Sequence, residues 1–80
     1  MCKLMKSQSY TEFEELETVK PNPPSNAVCA KKCKRREEDN LNINGMIYYE
    51  DTKECMCVIG MKGVVQQAGS DICYFGNYFL

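Results

Sequence analysis

Six cysteines in eighty residues constrain this chain more than any other feature. A domain this short buries only a little over ~60% of the surface its unfolded form exposes, so its core alone is marginal. Small extracellular domains offset that deficit with covalent cross-links. An even, dense cysteine set in a chain of this size reads as three disulfides formed in an oxidising compartment. Clustered cysteines can also bind metal, but the sequence has no histidine, and Cys29-x3-Cys33 and Cys55-x-Cys57 do not repeat a CxxC knuckle. No metal and no cofactor is expected. Nor does any cysteine sit in the CxxC pattern at a helix start that makes a reactive thiolate.

The prolines place the first element. Pro21-Asn22-Pro23-Pro24 forces an extended or turning path, because each ring fixes its own φ and biases the preceding residue away from helix. Ser25 follows as an N-cap for a helix over 26–38, a run without glycine or proline. Turn formers through Gly45 close it. The apolar blocks Met46-Ile47-Tyr48-Tyr49 and Cys55-Met56-Cys57-Val58-Ile59 flank a polar connector, which predicts an antiparallel hairpin over 45–60. Short terminal strands are expected near 2–5 and 72–75. Tyr10, Phe13, Leu16 and Val19 recur every third residue, and Thr11 with Glu14 has capping-box spacing, predicting one or two helical turns there. Between Gly63 and Gly69 an uncharged stretch reads as a loop or weak strand. The expected fold class is therefore α+β: one small disulfide-rich domain over 1–80, with a single helix packed on an antiparallel sheet.

Six cysteines allow fifteen pairings, and spacing narrows them. On a helix Cys29 and Cys33 share one face, ~6.0 Å apart along the axis at 1.5 Å per residue. On a strand Cys55 and Cys57 share one face too, ~6.6 Å apart at about 3.3 Å per residue. A helix lying across the hairpin can thus be bolted to it twice with little strain, since bridged Cα atoms typically sit ~5.5–6 Å apart. The expected pairs are Cys29–Cys55 and Cys33–Cys57. The crossed pairs, Cys29–Cys57 and Cys33–Cys55, fit these distances equally well, so geometry alone leaves both open. Cys2 and Cys73 remain to tie the terminal strands together around a loop of about 72 residues, worth roughly 4 kcal/mol in the chain-entropy account.

Cys29-Ala30-Lys31-Lys32-Cys33, a polar stretch, and then Asn44-Gly45-Met46-Ile47-Tyr48-Tyr49-Glu50-Asp51-Thr52-Lys53-Glu54-Cys55 resemble the PAN/Apple family. The resemblance spans residues 2–75, with its specific pattern in 28–59. It implies a CxxxC helix packed on a sheet, a bridge between the first and last cysteines, and an extracellular module that binds protein or carbohydrate. The family usually carries a cysteine just before the aromatic strand. Residues 40–45 have none here, and the resemblance then implies Cys57 in its place. CxxxC followed by CxC also resembles cysteine-stabilised αβ defensins and channel toxins, which implies a secreted effector as the alternative function. Those proteins place their remaining half-cystine before the CxC, whereas Cys73 follows it here, and they are usually shorter and more basic.

Charge narrows the partners. Ten basic against eleven acidic residues give a net charge of −1, so the whole-molecule field neither draws in nucleic acid nor drives generic membrane adsorption. No apolar run approaches the ~20 residues of a membrane span, and no signal-type segment precedes Cys2, so the sequence reads as a mature secreted chain. Electrostatic recognition must be local. Lys31, Lys32, Lys34, Arg35 and Arg36 cluster late in the predicted helix, a candidate site for a sulfated glycan or an acidic protein surface. The plainer reading is a solvated helix face that complements the helix dipole, with Lys34 paired to Glu38. Tyr78 and Phe79 in the apolar C-terminus are a second candidate surface, for a partner or weak self-association. Most other aromatics read as core. Without histidine, a serine or cysteine nucleophile lacks its usual base, so a non-enzymatic binding module is expected. Peptide mass mapping of unreduced protein should find no free thiol and no direct Cys29–Cys33 link; either one contradicts the double-rung scheme.

Overall fold

The computed structural model describes residues 2–40 and 42–75. Its elements run β1 (Met5–Glu12), β2 (Glu15–Val19), α1 (Asn26–Glu37), β3 (Ile43–Tyr49), β4 (Cys55–Ile59) and β5 (Lys62–Tyr74). All strand pairs are antiparallel, in the order β1-β5-β3-β4-β2. The two N-terminal strands thus become the two edges, and the aromatic hairpin strand β3 lies at the centre. One helix on a small antiparallel sheet is the fold class the sequence predicts.

Helix α1 starts where the proline brake ends. Ser25 is extended, and its hydroxyl accepts the Val28 N–H at 3.3 Å, satisfying one of the free donors of the first turn. Lys34, Arg35 and Arg36 fill the last turn, the favourable place for positive charge on a helix. The helix buries only Cys29, Ala30 and Cys33. Both cysteines bond to the sheet: Cys29 to Cys55 and Cys33 to Cys57, with Cα atoms 5.7 and 5.3 Å apart. The uncrossed arrangement forms. Cys2 bonds to Cys73 across 5.5 Å, tying the N-terminus to β5.

Strand alternation gives the sheet two apolar faces. Toward the helix, Val19, Ile43, Met46, Tyr48, Ile59 and Phe75 pack with the cystines. On the opposite face Ile47, Val58 and Ile72 pack with Tyr10 and Met61, flanked by half-buried Met5, Leu16, Tyr49, Met56 and Tyr74. Tyr10 reaches there because β1 and β5 break register. Lys6 pairs with Asp71 but Gln8 pairs with Gln66, so several residues of β5 stand opposite Ser7 alone. Ser7 (φ 58°) and Gly69 (φ 88°) make the bend, and the buried Ser70 hydroxyl donates to the Gln8 carbonyl at 2.7 Å. The Tyr10 hydroxyl then lies against the carbonyls of Met46 and Cys73, at 3.0 and 2.7 Å. Gly45 makes room for it: a Cβ at that position would overlap the Tyr10 hydroxyl and approach the Cys73 carbonyl oxygen to 2.9 Å.

Three sequence expectations change. The three-residue period across Tyr10, Phe13, Leu16 and Val19 does not mark a helix: the segment forms the two edge strands, with Phe13 in the turn and Leu16 and Val19 on opposite faces of the sheet. Backbone pairing with β5 and β4 overrides the local pattern. The short strand expected near 72–75 is the end of a 13-residue β5: of the two readings left open between Gly63 and Gly69, loop or weak strand, it is strand that forms, because β1 supplies its partner. The N-terminal strand begins at Met5 rather than spanning 2–5, the terminal disulfide holding Cys2 just ahead of it. Tyr78 and Phe79 lie outside the described residues.

Burial pushes the Tyr10 hydroxyl pKa above that of a free tyrosine. The native state therefore holds this proton more tightly than the unfolded chain. The stability it contributes is complete below the unfolded value of about 10 and is lost as pH rises above it. Tyr10→Phe should cost ~1–3 kcal/mol at neutral pH, since the buried carbonyls of Met46 and Cys73 lose the one hydroxyl proton they share. Urea melts should also show a smaller alkaline decline in the variant than in the parent; an equal decline contradicts the assignment.

Candidate functional site

The disulfides fix the rotation of α1, and that rotation sorts its cations. With Cys29 and Cys33 held toward the sheet, Lys32, Arg35 and Arg36 follow the i, i+3, i+4 spacing of one helix flank, and Asp39 lies in the turn just past the helix end. This flank faces β2. Together with Val19 and Lys20 at the end of that strand, these residues line an open cleft of about 230 Å³. Arg36 on its wall donates to the Glu17 carboxylate at 2.7 Å and to the Thr18 carbonyl at 3.2 Å. Among the described residues Lys20, Lys32 and Arg35 enter no ion pair, and Asp39 is the carboxylate on the cleft wall.

The five cations singled out in the sequence do not act together. Lys32, Arg35 and Arg36 share the cleft, whereas Lys31 is exposed outside it. Lys34 turns to the other flank, where it pairs with Glu37 rather than the expected Glu38 and sits 5.5 Å from the centre of the Phe75 ring. Three residues rather than four separate this pair, equally reachable on a helix surface. Lys20 joins the set from the strand. Sequence reasoning missed it because a single lysine before Pro21 carries no signal until β2 is placed beside α1.

Asp71 was also illegible. It is fully buried in β5, accepting hydrogen bonds from the Asn26 side-chain amide at 2.9 Å and from the Ser7 N–H at 3.4 Å. The first turn of α1 contains no acidic residue, so Asp71 brings negative charge from the sheet to the positive end of the helix dipole. Its role is to hold the helix start and the β1 bulge in place. The sulfurs of Cys29, Cys33 and Cys55 lie within 4.8 Å of one another, but they belong to two adjacent cystines, and a cystine sulfur offers no thiolate to a metal.

Among the described residues no helix is long and apolar enough to cross a membrane. No protein-family model matches the chain, and no curated protein or solved structure matches it. The polar contacts of Asp71 and Arg36 should separate in denaturant melts. Asp71→Ala removes a fully buried carboxylate and the two part-buried hydrogen bonds it accepts, and should cost ~1–3 kcal/mol. Arg36→Ala removes a half-exposed ion pair and should cost less than about 1 kcal/mol. A larger loss from Arg36 than from Asp71 reverses these roles.

Proposed function

We propose that this protein is a secreted, non-enzymatic recognition module of the PAN/Apple kind, and that it binds an anionic extracellular protein or glycan at the cleft between α1 and β2. One observation carries the reading: Lys20 from the end of β2 lines one cleft with Lys32, Arg35 and Arg36 from a helix that two disulfides tie to the sheet. Cations held in place by a stiff backbone lose less freedom on binding than cations on a mobile segment. A guanidinium bonded to Glu17 and Thr18 at once is further ordered, and its forked geometry suits carboxylate or sulfate.

Secretion is supported by three disulfides with no free cysteine among the described residues, since such bonds persist in oxidising compartments. The family likeness is supported by a helix bearing Cys29 and Cys33 on an antiparallel sheet and by a bridge from Cys2 to Cys73. The same bridge weighs against a defensin-like or channel-directed effector, whose remaining half-cystine precedes the CxC. Retention on immobilised heparin and on an acidic peptide matrix tests the binding site. Lys20→Ala, Lys32→Ala and Arg35→Ala together should shift elution to much lower salt on the matrix that binds, while Lys31→Ala should shift it little. Equal shifts from Lys31 and from the triple substitution would remove the cleft from consideration.

A further inference from the structure

The cationic cleft has an acidic counterpart at the other end of the same edge strand. Lys20 follows the last residue of β2. At its first residue, the turn from β1 carries Glu12, Glu14 and Glu15, all exposed, around Phe13, which at 46% exposure is the most exposed large apolar side chain among the described residues. None of these three glutamates forms an ion pair among the described residues. Lys20 lies five residues beyond Glu15, ~16 Å at about 3.3 Å per residue of extended chain. That is twice the ~8 Å Debye length at physiological ionic strength, so the two ends cannot neutralise each other within one molecule.

We propose that the acidic β1–β2 turn of one copy docks into the cationic cleft of a second copy. The proposal rests on the reading of the cleft as an anion-binding site and names a partner for it. Charge complementarity selects this occupant: Glu14 and Glu15 at one end of β2, beside a Glu12 that faces Lys62 across β1 and β5, match Lys20, Lys32 and Arg35 at the other. The molecule already holds one such contact, in which Arg36 grips Glu17, a carboxylate from a β-strand, together with the carbonyl of the next residue. Phe13 adds apolar area where the turn meets the helix flank. Asp39 on the cleft wall opposes a dense polyanion more than it opposes a few spaced carboxylates. Turn and cleft are different surfaces at opposite ends of β2, so two copies close as a dimer where a two-fold axis exchanges both contacts, and copies add into rings or open chains where it does not. A small interface of this kind is weak and salt-sensitive.

Sedimentation velocity on the full oxidised chain, over a concentration series, tests this. The mean sedimentation coefficient should rise with concentration at about 0.01 M salt, where screening is weak, and return to the monomer value near 1 M. Two double variants, Glu14→Lys with Glu15→Lys and Lys32→Glu with Arg35→Glu, should each associate at least about tenfold more weakly, and their equimolar mixture should recover association. Phe13→Ser should weaken association with no change in charge. A parent that stays monomeric at low salt overturns the proposal, and so does a turn variant that associates as strongly as the parent. If the cleft variant loses polyanion retention while the parent never self-associates, self-docking falls and the cleft reading stands. If retention is also unchanged, both fall.

Discussion

The structure depends on a double covalent clamp between α1 and β4. A helix that buries three side chains, one of them alanine and the other two half-cystines, has too little apolar surface to stay on a sheet by burial alone. The cystines supply the attachment. In the chain-entropy account each loop, closed over separations of 26 and 24 residues, contributes about 3.5 kcal/mol. That is a large share of the total for a domain of this size, and each link joins the same two elements, so it fixes orientation as well as proximity.

The opposite face of the sheet is closed without covalent bonds. There the β1–β5 ribbon bends at Ser7 and Gly69 and places Tyr10 across the central strands, in the space that Gly45 leaves open. Asp71 works at the same bend, joining β5 to the helix start and to Ser7. The hairpin core, the helix and the bent ribbon are therefore linked through a few buried polar contacts, each satisfied, and among the described residues no buried side-chain nitrogen or oxygen lacks a partner. The exposed edges are guarded as well: β2 carries Glu15 and Glu17, and Arg36 covers its Thr18 carbonyl, which discourages unplanned strand addition.

The clamp also shapes the candidate site. Turning Cys29 and Cys33 toward β4 sends Lys32, Arg35 and Arg36 to the flank beside β2 and Lys34 to the flank beside Phe75. A basic run that is uniform in sequence becomes two surfaces with different neighbours. On one, positive charge stays available to a partner. On the other, it is spent locally against Glu37 and an aromatic ring.

By itself the sequence determined the elements that rest on local chemistry or fixed spacing. Ser25 after a proline run starts a helix, two β-branched and aromatic blocks around a polar connector make a hairpin, and the matching rungs of Cys29–Cys33 and Cys55–Cys57 lock one on the other. Tertiary structure alone decided whatever depends on distant partners. Residues 10–19 carry a helix-like spacing but become edge strands because β4 and β5 offer backbone partners. The choice between crossed and uncrossed cystines waits on the direction in which α1 crosses β4. Lys20 and Asp71 gain their roles only when strands far apart in sequence meet the helix, since no local pattern encodes a neighbour that the chain has yet to bring near.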